Sequence, residues 1–303
     1  MHVASAEDGL RRRRIAARLA PYALALPACA LAAVFAYGVI VGVLQGFGIM
    51  PSLGMNTFTL DCYAQALARP DFTASIAYSL YLSAVSSAIA LAGGVLLAWA
   101  LCAVQARTAV RMLGLQVPIL TMHALVALAV TFLFSGSGLV ARLLADPAAQ
   151  SAAQSAVSVV GDPSGWGIVA VYAWKEIPYV AFCTITIMMH VSGTLGEAAA
   201  LSGASPARTF FSVTLPLCAP AAVQAFVVVA AFSFGSYEVA YLLGPTYPKT
   251  LPVLAYMEFQ DPDLVNRCYA MALNGITTGV CALTAAVYFV AARVQRRQEG
   301  SRG

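Results

Sequence analysis

EAAALSGASPARTFFSVTLPLCAP, residues Glu197 to Pro220, is a compact polar interruption in an otherwise apolar chain, and its reading decides the rest. Thr194, three residues ahead of Glu197, makes a capping-box pattern in which hydroxyl and carboxylate each satisfy an orphan amide of a first helical turn. Ala198, Ala199, Ala200 and Leu201 propagate a helix well, and Gly203 supplies the left-handed conformation that commonly ends one. Ser205 and Pro206 suit the N-cap and first position of a second helix. That helix is predicted to run through about Thr214, with Pro216 and Pro220 punctuating the entry to the next apolar run. The stretch therefore reads as two short helices joined by a turn.

Outward from this stretch, composition sets the class. The chain has 303 residues, 60% of them hydrophobic and only 10% charged, with a mean hydropathy of +0.80. That is too little charge to cover a soluble globule of this size. The fold class is an all-α integral membrane protein with six transmembrane helices. Apolar runs at about Pro21 to Phe47, Ser75 to Val104, Gln116 to Phe134, Gly167 to His190, Ala221 to Leu243 and Met271 to Ala292 each lie near the roughly 20 residues that cross a bilayer. The first is too long for a signal-peptide core and is retained as a span.

Six spans put both termini on one side, and the Lys/Arg bias makes that side the cytoplasm. Inner segments collect Arg11 to Arg14, Arg18, Arg107, Arg111, Arg208, Arg293, Arg296, Arg297 and Arg302. Outer loops hold Arg69, Arg142, Lys249 and Arg267, diluted by Asp61, Asp71, Asp146, Asp162, Glu258, Asp261 and Asp263. The expected organisation is a basic cytoplasmic N-terminus over 1–20, a transmembrane domain over 21–292 containing the inner loop at 194–220, and a cytoplasmic tail over 293–303. The basic stretch reads as a topological anchor against lipid headgroups, not a nucleic-acid patch.

The outer stretches at 49–74 and 245–270 are long enough to fold back as short helices. After Ser135 an amphipathic segment is expected on the outer surface. Of seven cysteines, Cys62 and Cys268 fall in outer loops, where a disulfide or two unpaired thiols both fit. His2, His123 and His190 are too far apart to argue for a metal, and no cofactor is expected.

Catalytic motifs are lacking: neither Lys175 nor Lys249 follows a phosphate-cradling glycine loop, and HExxH and GxSxG are absent. The chain is read as no enzyme, so any ATP is hydrolysed by another subunit. What remains are polar residues inside the spans, where a charge costs roughly 2.5–3.5 kcal/mol and normally faces a bundle interior or a water-filled path. Lys175 and Glu176 precede Pro178, which is expected to kink the fourth span. As sequence neighbours they point about 100° apart, so at least one needs a counterpart on another span. Glu238 follows Gly235 and Ser236 and is flanked by Tyr237 and Tyr241. Two readings stay open for it: a passage lining that tolerates a cationic solute, or an ion pair with Lys175 that fixes helix packing, with Glu176 finding its own partner.

The spacing of the inner stretch also resembles a known motif. Glu197-Ala198-Ala199, three residues, Gly203, nine residues, Val213, one residue, Leu215-Pro216 is similar to the EAA loop of permease subunits of binding-protein-dependent ABC importers, with Val213 where Ile is common. The resemblance implies a type I ABC importer permease fold in a bacterial inner membrane. It implies coupling to a separate ATPase dimer through Glu197, Ala198, Ala199, Gly203 and Ala204, while Leu201, Phe210, Phe211 and Val213 pack the loop against the spans. Arg208 meets either the ATPase or lipid headgroups. The other partners implied are a second permease subunit, often a paralogue, and an extracytoplasmic solute-binding protein. YEVAYLLGPTYPKTLPVLAYMEF from Tyr237, followed by DPDLVNRCYAMAL from Asp261, resembles the spermidine/putrescine branch, which implies a polyamine-like solute. Lys175, Glu176, Tyr237, Glu238 and Tyr241 are the candidate path residues. The competing functional class is an ATPase-independent secondary transporter or channel.

Overall fold

The computed structural model describes residues 2–51, 54–103, 108–144, 159–201, 203–264 and 266–300, with backbone only at 2–20, 56, 103, 108–111, 144, 192–201, 291 and 294–300. The outer tract at 145–158, Arg107, and the side chains of Arg11 to Arg14, Arg18 and Glu197 to Leu201 lie outside that description. Among the described residues the regular structure is helical apart from two short strands, β1 (Ile49–Met50) and β2 (Met55–Asn56), paired antiparallel with Ile49 opposite Asn56. Six helical stretches are long and apolar enough to cross a membrane, at Pro21–Gly46, Pro70–Cys102, His123–Leu143, Trp166–Val191, Pro206–Gly235 and Asn266–Val290.

The first span lies in α1 (His2–Gly46). Its residues from Pro21 to Ile40 are exposed. It meets the rest of the chain at its outer end, where a Cβ on Gly46 would stand 3.2 Å from the Cα of Ala272. After the strands, α2 (Asp61–Ala68) lies across the outer end of the bundle and leads into α3 (Pro70–Ala103), the second span. A disulfide joins Cys62 of α2 to Cys268, with their Cα atoms 5.8 Å apart, so of the two open readings the paired one holds. Beside it, the Arg69 guanidinium bonds Glu258 at 3.3 Å and lies 4.0 Å over the ring of Tyr269.

The third span departs from the expected single run at Gln116 to Phe134. It is broken into α4 (Thr108–Leu120) and α5 (His123–Phe134), with the interruption at Thr121 and Met122. Pro118 lies in the last turn of α4 and removes a backbone donor there, so the helix stops soon after it. The short α6 (Leu139–Leu144) follows.

The fourth span is α7 (Trp166–Leu201), one helix of 36 residues that runs through Pro178 without interruption. It packs along α3 at glycine-to-aliphatic contacts: a Cβ on Gly94 would sit 2.5 Å from the Cβ of Val180. The separate capped helix expected from Thr194 and Glu197 does not form. Nothing between His190 and Glu197 breaks the run, and Thr194 is held in the helix interior, where it cannot take the extended geometry an N-cap requires.

Beyond Leu201 the turn is as the sequence predicts. Gly203 has φ of +75°, and Ser205 is an extended N-cap whose hydroxyl accepts from the Arg208 amide at 3.4 Å, with Pro206 following. The second loop helix, α8 (Pro206–Thr209), does not end ahead of Pro216. It passes through one wide π turn at Phe210–Thr214 straight into α9 (Leu215–Gly235), the fifth span. The Leu215 amide reaches back to the Phe210 carbonyl, five residues away. That wider turn relieves the clash which a proline ring makes with the carbonyl four residues before it. The fifth span accordingly ends at Gly235, short of the expected Leu243. Ser236 and Tyr237 are non-helical, and Glu238 opens a separate helix, α10 (Glu238–Leu243). Next, α11 (Leu251–Phe259) folds back on the outer side before α12 (Asn266–Gly300), the sixth span.

Candidate functional site

Around the middle of α7, a cavity of about 190 Å³ is lined by Ile119, His123, Lys175, Glu176, Tyr179, Val228, Val229 and Phe232. Its walls are aliphatic and aromatic, and its polar groups, His123 on one side and Lys175, Glu176 and Tyr179 on the other, come from two spans, the usual character of a small-molecule site. Lys175 and Glu176 are 6% and 5% exposed, so both charges are withdrawn from solvent.

Each charge has found its counterpart on a different element. The Lys175 ammonium donates to the Thr121 carbonyl at the break between α4 and α5. That carbonyl belongs to the last turn before the break, where helix carbonyls lack internal partners and the dipole favours a cation. The Glu176 carboxylate accepts from the Ser233 hydroxyl of α9 at 2.6 Å through Oε1, while Oε2 is buried without a hydrogen-bond partner. An unpartnered buried carboxylate oxygen is costly and marks where a donor from a bound molecule or water would be held. His123 opens α5 with its ring 4.6 Å from that of Phe232 and 6.4 Å from that of Tyr172.

The expected ion pair between Lys175 and Glu238 does not form. The break at Ser236 moves Glu238 into α10, where it is exposed. Tyr237 and Tyr241 are also exposed, at 41% and 52%, and both pack on Tyr256 of α11, at ring distances of 5.2 and 5.6 Å. A second cavity of about 260 Å³ opens beside them and includes Tyr237, Tyr256, Phe259 and Asn274. The five path candidates are thus separated: Lys175 and Glu176 line the first cavity, Tyr237 lines the second, and Glu238 and Tyr241 line neither.

Sequence reasoning missed several partners. For Thr121 and His123 the signal was Pro118, which marks a helix end inside an apolar run. Ser233, two residues before Gly235, had no signal of its own, and nothing local ties Tyr256 to Tyr237. At the inner loop, Gly203 is exposed and Ala204 half-buried. A Cβ on Gly203 would meet nothing within 4 Å, so glycine is required there by conformation, not by space. Phe210 is buried against Trp99 with ring centroids 4.9 Å apart, and Val213 is half-buried, in keeping with packing roles. Phe211 is not: it is 66% exposed.

The chain's likeness to known proteins follows the same elements. Over 108 residues, 36% of this chain, it is 29% identical to the maltose/maltodextrin transport system permease protein MalF of Escherichia coli (strain K12), and the match spans 21% of that relative's length. Over 229 residues it is 28% identical to the sn-glycerol-3-phosphate transport system permease protein UgpA of Yersinia enterocolitica serotype O:8, covering 71% of this chain and 72% of the relative. A solved structure of a bacterial ABC transporter involved in the import of the acidic polysaccharide alginate superposes with a TM-score of 0.69 at 20% identity, over 95% of this chain and 99% of that one. At that identity the likeness is one of fold. The family profile described as "binding-protein-dependent transport system inner membrane component" matches residues 108–300. Spanning the broken third span, the cavity and the inner loop, that match shows that the chain belongs to the binding-protein-dependent inner-membrane permeases.

Proposed function

We propose that this chain is the permease subunit of an ATP-driven importer. It forms half of a translocation path together with a second permease, receives solute from an extracytoplasmic binding protein, and couples through residues 194–220 to a separate ATPase dimer. The observation that carries this reading is the continuity of α7. One continuous helix holds Glu176 at the cavity and ends at Leu201, near Gly203, 25 residues and roughly 37 Å further on. A push on its inner end is therefore delivered to the cavity. Glu197, Ala198, Ala199, Gly203 and Ala204 act at the ATPase end, and Lys175 and Glu176 act at the solute end. Tyr237, Glu238 and Tyr241 act at the outer mouth. A secondary transporter would gain nothing from such a helix reaching past the membrane.

For the solute, a carbohydrate or polyol fits better than the polyamine expected from the Tyr237-Glu238 pair. The cavity offers aromatic faces at Tyr179 and Phe232 and a free carboxylate oxygen suited to a hydroxyl donor, while the neighbouring Lys175 ammonium repels a polycation. The names of MalF and UgpA point the same way. The exposed Glu238 among three tyrosines favours the polyamine alternative.

The test is uptake into vesicles holding this chain with its partner permease and ATPase, supplied in turn with each candidate binding protein. Maltodextrin, glycerol phosphate and spermidine are offered as solutes. Uptake of one polyhydroxylated solute is expected, with Glu176→Gln raising its half-saturating concentration roughly five- to tenfold as a charge-assisted bond becomes a neutral one. Uptake of spermidine alone would contradict the solute assignment. Uptake without the ATPase would contradict the importer reading itself.

A further inference from the structure

Lys175 and Glu176 are adjacent in α7 yet grip two different interruptions. Lys175 holds the Thr121 carbonyl, the point at which the third span breaks between α4 and α5. Glu176 holds Ser233, three residues ahead of Ser236, where the fifth span breaks between α9 and α10. Both breaks lie within chain segments that must rearrange if a path is to open on one side and close on the other. A broken helix bends at its break at less cost than a continuous one, because the hydrogen bonds there are already absent. Meanwhile α7 passes the same depth unbroken and ends at the inner loop.

From this geometry we infer that Lys175 and Glu176 are positioning residues, a pair of clasps by which motion of α7 is transmitted to the hinges of the third and fifth spans. The inference rests on the importer reading above and deepens it by naming how the inner loop reaches the path. Each clasp is directional. The ammonium can hold only the carbonyl end of α4, and Ser233 is the hydroxyl within reach of Glu176 Oε1. The bonds lie in a buried, low-dielectric setting where charge-assisted hydrogen bonds are strong and their loss is costly. The buried faces of α3 and α7 add a fixed rail: Gly94 against Val180 leaves no space for α7 to tilt toward α3, so displacement of α7 is directed to the clasped side.

Two substitutions separate clasping from solute contact. Ser233→Ala removes one hydroxyl that does not line the cavity, and Lys175→Met keeps the side-chain stem while removing the ammonium. Both are assayed in the complete complex, with partner permease, ATPase and binding protein, in lipid nanodiscs and vesicles. Hydrogen exchange is read at the backbone amides around each break, together with the number of solute molecules imported per ATP hydrolysed. The expected result for Ser233→Ala is faster exchange at Phe234 to Val239 in the solute-free complex. Solute imported per ATP should fall by roughly tenfold, the fold-change that corresponds to losing one hydrogen bond to a charged group. Lys175→Met is expected to speed exchange at Thr121 to Leu125 and to lower the same ratio.

Unchanged exchange, or an unchanged ratio in both variants with normal assembly, overturns the clasp. Exchange is read without turnover, so the first of these results stands even if no solute is found. Failure of the importer reading is distinct: the native complex would then show uptake that needs no ATPase, whatever the variants do.

Discussion

Phe210 and Phe211 are neighbours in the wide turn with opposite fates. Phe210 is 4% exposed and lies on Trp99, so Phe210→Ala leaves a cavity between the fifth and second spans. The expected loss is about 3–5 kcal/mol, seen as a lowered unfolding midpoint of the purified chain in detergent. Phe211→Ala should change that midpoint little, and equal losses for the two would contradict the register of the π turn. The motif resemblance pairs the two rings as packing residues, although neighbours on a helix point about 100° apart. What it does not reveal is the extra residue in the turn, whose cause, Pro216, lies beyond both. The charges were legible in a similar half-measure. Adjacency of Lys175 and Glu176 requires separate partners, and they have them, but the identity of those partners depends on breaks in two other spans. Of the two readings open for Glu238, the ion pair with Lys175 fails for the same reason: the break at Ser236 carries it away.

At the scale of elements, α7 against α3 is the closest packing of the bundle, and it rests on absent side chains. With Gly94 so near Val180 and the Ile177 carbonyl only 2.8 Å from where a Cβ would sit, Gly94→Val forces the two helices apart. Overpacking of this kind costs about 1–3 kcal/mol or more. The variant is expected to show a sharply lower yield of monodisperse protein in detergent, whereas Gly114→Ala, with open space around it, should leave yield unchanged. A normal yield of Gly94→Val would contradict the contact. Most spans were readable from hydropathy alone because lipid exposure rewards length and apolarity. Their breaks were less so, since a broken helix inside protein is stabilised by groups distant in sequence, here Lys175 for the third span. The disulfide between Cys62 and Cys268 shows the same limit. Location outside the membrane made it chemically reasonable, but only the fold-back of α2 onto α12 brings residues 206 positions apart within reach.

For the whole molecule, one continuous helix joins a membrane-embedded cavity to a loop that extends past the inner end of the bundle. In the importer proposed above, that helix would carry a push on the loop to the cavity. Gly203 is the joint between the end of α7 and the start of α8, and its φ of +75° is a conformation that a residue with a Cβ adopts at a cost of roughly 1–2 kcal/mol. The measurement that tests this most directly is ATP hydrolysis by the reconstituted complex. The native chain is compared with Gly203→Asp, with and without the loaded binding protein. The account predicts that the loaded binding protein stimulates hydrolysis in the native complex and that Gly203→Asp abolishes the stimulation while the chain remains in the membrane with its partners. Stimulation of the same size in both complexes would contradict coupling through this loop.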